Sequence, residues 1–275
     1  MVIAGAAVAV VLVAIGTLIV VRVAGHHTAT PPAAVSSKAP DQVTTALTDV
    51  PATVLDTVGT GTVATLPKVV TGEAVRTDNG KPLILYVGAE YCPFCAAQRW
   101  AAVVALSRFG TFTGLGVTHS ATADVYPNTA TVTFHGATYT SDYLTFQGVE
   151  TATNQPAGNS YGQLDAPTAA QRDLLTKFDA PPYVSADAAG SIPFVDFANQ
   201  AVISGASYSP QLLAGKTAAQ IAAVLSDPTS PITKAIAGTA NAFTTVLCHL
   251  TKEQPPTVCT GAAATGYQGK LYGPG

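Results

Sequence analysis

The chain has 275 residues, of which 11% are charged, and its formal net charge is −3. No basic patch accompanies that balance, which argues against nucleic acid as a partner. Beyond an N-terminal anchor and linker, roughly 225 residues remain, enough for one core with insertions or for one and a half domains. Residues 2–21 form an uncharged apolar run. That is long enough to cross a bilayer as a helix, which takes about 20 residues. The other reading is a cleaved signal peptide, whose apolar region usually spans about 7–15 residues. The greater length, and the lack of a small-x-small site directly after the run, favour an uncleaved anchor over residues 1–24. Arg22 follows the run and no Lys or Arg precedes it, which by the positive-inside rule points the wrong way for an exported domain. The cysteine pattern below favours the outside, and the expectation is that basic residues are missing upstream through a misassigned start.

Residues 25–43 are rich in Pro, Ala, Ser and Thr and read as a flexible tether. His26 and His27 open it, too few ligands for a metal tract. Residues 44–80 predict a short helix and an early strand, with Asp78-Asn79-Gly80-Lys81 as a turn. Leu83-Ile84-Leu85-Tyr86-Val87-Gly88 then reads as a buried strand. It is followed by Ala89-Glu90-Tyr91-Cys92-Pro93-Phe94-Cys95 and a strong helix former from Ala96 to Leu106. Two cysteines at a strand-to-helix turn have a chemical consequence. The free N–H groups and the positive dipole end of the helix stabilise an anion, so Cys92 is expected as the exposed, partly ionised nucleophile. Pro93 suits the first turn, where its missing N–H has no helical partner anyway.

The helix from Cys95 extends to Phe109. Gly114 to Ser120 predicts a strand, and residues 129–136 and 137–146 alternate with period two and read as a hairpin. Pro167 to Phe178 predicts a helix. After Ser209 the chain reads as helical, over Ala218 to Leu225 and Ile232 to Leu250 with a break at Asp227-Pro228.

Four cysteines, Cys92, Cys95, Cys248 and Cys259, make an even count that fits an oxidising compartment. A structural disulfide between Cys248 and Cys259 would staple a Pro-rich loop onto the last helix. A second redox relay pair is the other reading. Zinc uses the Cys-x-x-Cys spacing too, but it needs four ligands. Cys248 and Cys259 lack the spacing, and His119, His135 and His249 are scattered, so no metal and no cofactor is expected. Trp100 reads as core rather than site, and Arg99 and Arg108 as capping or pairing on the helix surface.

The strand, Ala-Glu-aromatic, Cys-x-x-Cys and helix resemble thioredoxins. Ser191-Ile192-Pro193-Phe194-Val195-Asp196-Phe197 resembles the thioredoxin segment in which an apolar residue and a cis-proline precede a strand and hairpin. Gly205 and Ser209-Pro210-Gln211-Leu212-Leu213 look like that family's last turn and closing helix. More narrowly, Tyr86 to Trp100 with Leu106-Ser107-Arg108-Phe109-Gly110 is similar to a membrane-anchored bacterial and archaeal family catalogued as domain of unknown function 929, over most of the chain beyond residue 50. The resemblance implies an α/β thioredoxin-like fold, a central mixed sheet flanked by helices, over residues 44–275. It implies an insertion at about 110–185 between the redox helix and the cis-Pro strand, and a helical extension at about 209–275. The insertion would shape the substrate surface or serve as a lid. One departure stands out: Tyr86 occupies a position where many thioredoxins carry a buried acid, and Tyr cannot take that role near neutrality, its unperturbed pKa being about 10. This favours oxidation or isomerisation over reduction. Glu90 is close in sequence but is expected to point elsewhere, as a modulator that opposes thiolate formation if it lies near.

The expected chemistry is exchange through a mixed disulfide, with Cys92 attacking and Cys95 resolving. Tyr91, Pro93, Phe94, Ile192 and Pro193 would form the substrate groove, and the backbone before Pro193 would pair with an extended segment. The partners would be protein thiols and disulfides, a recycling partner the sequence does not name, and the bilayer through residues 2–21. The expected place is the plasma membrane, single-pass, with the domain extracytoplasmic. The alternative is a non-catalytic thioredoxin-like binding or scaffold protein of the cell envelope with a structural disulfide between Cys92 and Cys95.

Overall fold

The computed structural model describes residues 36–273, and the run read as an anchor lies outside them. The described chain opens on β1 (Ser37–Lys38), α1 (Asp41–Thr48) and α2 (Ala52–Val58). This corrects the tether as it was expected to reach residue 43. Ser37 and Lys38 pair with Val117 and Gly116, and Ala39 and Val43 are buried. The alternation of apolar and polar residues at Val43 and Leu47 is one helical turn of a core-facing stripe, not linker. Asn241 donates to the carbonyls of Leu55 and Gly59, both at 2.8 Å, and so supplies partners at the end of α2.

β2 (Lys68–Val69), β3 (Thr77–Asp78) and β4 (Lys81–Gly88) follow. β3 and β4 form a hairpin, with Asn79 and Gly80 at φ of 49° and 77°, the left-handed pair a two-residue turn requires. β4 shows no alternation because both of its faces are covered. α3 (Pro93–Ser107) is buried over almost its whole length, as a helix apolar all round must be.

β5 (Thr111–Thr113), β6 (Gly116–His119), β7 (Ala130–Thr133) and β8 (Thr138–Thr140) come next. The hairpin expected over 129–146 does not form: β7 pairs with β6, and β8 pairs with β5. Period-two alternation identifies strands but leaves their partners open. β9 (Thr145–Glu150) runs parallel to β4, from Leu83 opposite Thr145 to Gly88 opposite Glu150. The stretch 110–185 is therefore not one insertion, because β9 belongs to the central sheet. β10 (Ala152–Ala157) and β11 (Ser160–Gln163) pair with each other. α4 (Ala169–Phe178) opens on a capping box of Thr168 and Gln171.

β12 (Phe194–Phe197) and β13 (Ala201–Ser204) complete the sheet in the order β2-β13-β12-β4, with β9 and β3 also paired to β4. Every pairing in it but β4–β9 is antiparallel. The architecture is mixed α/β, a central mixed sheet flanked by helices. Side chains sort by the strand period. Ile84, Tyr86, Val195 and Phe197 join the large core with α3, while Leu85, Val87 and Phe194 face Leu174 and Leu175 of α4. A 3-10 turn at Pro210–Leu213 leads to α5 (Ala218–Ala223) and α6 (Pro231–Leu250), and α6 packs on α3. The short helices α7 (Pro256–Cys259), α8 (Ala262–Thr265) and α9 (Gln268–Tyr272) close the described chain. Cys248 of α6 is bonded to Cys259 of α7, across the Pro-rich loop. Among the described residues no helix is long and apolar enough to cross a membrane.

Candidate functional site

Cys92 caps α3 at the carboxyl end of β4, with Pro93 in the first turn. Its sulfur accepts the backbone N–H of Cys95 at 3.3 Å. On its other side, Cys92 Sγ lies 3.7 Å from the carbonyl oxygen of Ile192. The Ile192–Pro193 bond is cis, and it sets that carbonyl beside the thiol a hundred residues away in sequence. Both thiols are free. Burial corrects one expectation: Cys92 is not openly exposed but 5% accessible, against 0% for Cys95.

The two thiols differ in acidity. Cys92 is held below the ordinary thiol range, chiefly by a hydrogen bond from the Cys95 thiol, with the Cys95 and Phe94 backbone N–H groups and the Arg99 charge adding to it against burial. Cys95 is pushed well up, first by burial and then by its bond to Cys92. One sulfur is thus prepared to carry a negative charge and the other to hold a proton.

Beneath the turn lies a charge pair that contradicts the surface reading of Arg99. Arg99 stands one turn beyond Cys95 on the same helix face and is wholly buried. Its Nε donates to Glu150 Oε1 at 2.7 Å and its Nη2 to Glu150 Oε2 at 2.5 Å. The same Nη2 donates to the carbonyl of Ala89 at 2.7 Å. The guanidinium therefore ties the end of β9 to the turn that carries Cys92. Arg108, by contrast, sits at the end of α3 and reaches the Val258 carbonyl at 3.5 Å.

Glu90 also departs from expectation. It turns inward, is 0% exposed, and its carboxyl is pushed up mainly by burial. Glu90 is not among the groups that act most on Cys92. Tyr86 is buried with its hydroxyl pushed well above the usual range by desolvation, and its ring meets Phe134 edge-on at 4.9 Å. It is a wall rather than an acid.

Of the expected groove residues, Ile192 brings its carbonyl to Cys92, while Tyr91 and Phe94 pair with rings from elsewhere in the chain. Tyr91 stacks on Tyr161 at 4.3 Å with ring planes 8° apart, and Phe94 meets Tyr126 edge-on at 5.8 Å. Pro93 is buried, whereas Phe94 is 37% exposed. Trp100 is core, its indole N–H donating to the Ala130 carbonyl at 3.1 Å. His119 Nδ1 hydrogen-bonds the carbonyl of its neighbour Ser120 at 2.8 Å. His135 pairs with Asp165 at 2.8 Å, and Asp165 also accepts the Glu150 N–H at 3.1 Å. Sequence reasoning missed Glu150, Tyr126 and Tyr161. The one signal available was Arg99 itself, a charge inside an otherwise apolar helix, which demands a buried partner. The only cluster of metal-ligating types among the described residues is Cys248, Glu253 and Cys259, and two of its members are consumed by the disulfide.

A family model described as Domain of unknown function (DUF929) matches residues 72–249, more than half of the chain, and spans Cys92, Cys95, Glu150 and Pro193. No curated protein and no solved structure matches the chain.

Proposed function

The chain belongs to the DUF929 family, and we propose that it is a membrane-anchored, extracytoplasmic thiol-disulfide oxidoreductase with a thioredoxin-like domain. The observation that carries this reading is the placement of Cys92, with its sulfur on the Cys95 N–H at the start of α3 and against the carbonyl before a cis-proline. The order β4-α3-β9-α4-β12-β13 then helix, with β9 parallel and β12 antiparallel to β4, supports the thioredoxin-like assignment. The apolar run 2–21 supports the anchor, and the Cys248–Cys259 bond supports an oxidising side of the membrane.

In exchange, the Cys92 thiolate attacks one sulfur of a substrate disulfide. A Cys92–substrate S–S bond forms, and the other substrate sulfur leaves with the electron pair and takes a proton from solvent. Cys95 then gives up its proton and attacks Cys92 Sγ. The 92–95 disulfide forms and the second substrate thiolate departs, so two electrons have passed to the substrate. Run in reverse, the disulfide form oxidises a substrate dithiol. A stabilised Cys92 thiolate stabilises the reduced protein, which makes the disulfide the stronger oxidant. With no acid at Tyr86, this favours oxidation and isomerisation. The Ile192 N–H has no hydrogen-bond partner among the described residues, and it is free to pair with an extended substrate segment.

The test is trapping. Cys95→Ser should accumulate a mixed disulfide at Cys92 with thiol proteins, and Cys92→Ser should accumulate none. The low accessibility of Cys92 favours a second reading, a non-catalytic envelope binding protein. Failure of Cys95→Ser to trap anything would select it.

A further inference from the structure

A groove runs away from the redox turn, and thiol exchange itself makes no use of it. Three large hydrophobic side chains are exposed among the described residues; one, Val125 at 74%, lines this groove, and a second, Phe94 at 37%, borders it through Tyr126. Phe94 stands between the cysteines and meets Tyr126. Val125 and Tyr126 line a cavity of about 500 Å³, whose opposite wall is the segment from Gln211 to Thr217.

The wall is fixed to the redox turn by its backbone. Ala121 N–H donates to the Tyr91 carbonyl at 2.8 Å, and Asn128 N–H closes the loop onto the Ala121 carbonyl at 3.2 Å. Ser120 Oγ donates to the Tyr126 carbonyl at 2.9 Å. A groove held this way keeps its distance from Cys92 when a partner arrives. Lys216 lines this cavity and an adjoining one of about 410 Å³. The Lys216 ammonium has no ion-pair or hydrogen-bond partner among the described residues, and no other charged side chain lines the larger cavity.

We propose that this groove is the substrate-selecting subsite of the redox centre, and that it takes an extended protein segment with an apolar side chain beside its reacting cysteine and a carboxylate further along. The inference rests on the thiol-exchange reading. A cavity of this size accepts one or two aliphatic or aromatic side chains. The exposed apolar surface continues from Phe94, the residue between the two cysteines, so a side chain adjoining the substrate sulfur reaches it first. The unpaired ammonium of Lys216 supplies the charge that the carboxylate complements.

The test uses the reduced full-length protein in detergent micelles and single-turnover exchange with glutathione mixed disulfides of short peptides. One peptide carries Leu on both sides of its cysteine and Glu at both ends. A second has Ser for Leu, a third has Gln for Glu, and oxidised glutathione serves as the small reference. The Leu/Glu peptide should react about tenfold faster than the Ser peptide, the scale of burying one Leu side chain. Val125→Asp and Tyr126→Ala should bring that ratio towards one, and Lys216→Glu should reverse the preference for Glu over Gln. Equal rates for all peptides, with oxidised glutathione consumed, would overturn the groove and leave the exchange chemistry standing. A Leu preference that survives Val125→Asp and Tyr126→Ala would also overturn it. No exchange with any disulfide would overturn the exchange reading and this inference together.

Discussion

The Arg99 guanidinium lies bidentate on the Glu150 carboxylate, Nε to Oε1 at 2.7 Å and Nη2 to Oε2 at 2.5 Å, with neither side chain exposed. The same group holds the Ala89 carbonyl, so the pair is both a strut under the turn that carries Cys92 and a buried charge that acts on its thiols. These two roles separate in mutants. Glu150→Gln leaves Arg99 uncompensated, and its positive charge then favours the Cys92 thiolate more strongly. The alkylation midpoint of Cys92 should fall, while stability drops by about 3–5 kcal/mol, the usual cost of breaking a buried pair. Arg99→Met with Glu150→Met removes both charges, so stability should largely recover while the midpoint rises. Midpoints that move together with stability in both variants would reduce the pair to a strut.

Asp179 gives a pH dependence with a definite sign. It is 5% exposed, and burial pushes its carboxyl up to about 6, against a hydrogen bond from Ser204. Ser204 Oγ also lies 3.2 Å from the Ala188 carbonyl and 3.3 Å from that of Ser191, just before Ile192–Pro193. Between the unfolded value near 4 and the folded value, the folded state binds the extra proton. This group's contribution is therefore fully present at low pH and is lost as pH rises towards 6. Asp179→Asn should flatten that part of the stability profile and stabilise the protein at pH 7 by up to about 3 kcal/mol. Denaturant unfolding at a series of pH values checks it, and parallel profiles for the two proteins would refute it.

The bond between Cys248 and Cys259 closes a short loop, with a sequence separation of 11. Replacing both residues by Ser should cost about 2–4 kcal/mol. It should leave the redox titration of Cys92 and Cys95 where it was. A shift of that titration would revive the reading of a relay pair.

Gly61 sits at φ +53°, and a Cβ there would lie 2.1 Å from the Lys234 carbonyl oxygen of α6. Gly61→Ala should destabilise by about 2–4 kcal/mol, from overpacking added to backbone strain. Gly72, at φ +82° with nothing within 4 Å, meets only the backbone strain. Gly72→Ala should cost about 1–2 kcal/mol. Equal losses in the two variants would contradict the close approach of α6 to Gly61.

What the sequence made legible was local. The β4 run, the helix after Cys92, the Asn79-Gly80 turn and the helices after Ser209 each carry their signal within a dozen residues. What it hid were partners. Arg99 and Glu150 are 51 residues apart, and nothing near Glu150 marks it as buried. Alternation identified strands over 129–146 but could not say that β7 joins β6 and β8 joins β5. Glu90 follows the same rule: its carboxyl is buried, and Thr133, Glu150 and His135, which act on it, are brought there only by the fold.

The central claim is that Cys92 and Cys95 form a working redox couple, and equilibrium titration of the full-length protein in glutathione buffers tests it most directly. Alkylation and mass analysis would follow both thiols. The account predicts a reversible two-electron couple between about −120 and −200 mV, with Cys92 alkylated first. A pair that stays oxidised below about −300 mV, with Cys92 unreactive once reduced, would contradict it and leave a structural disulfide in a binding protein.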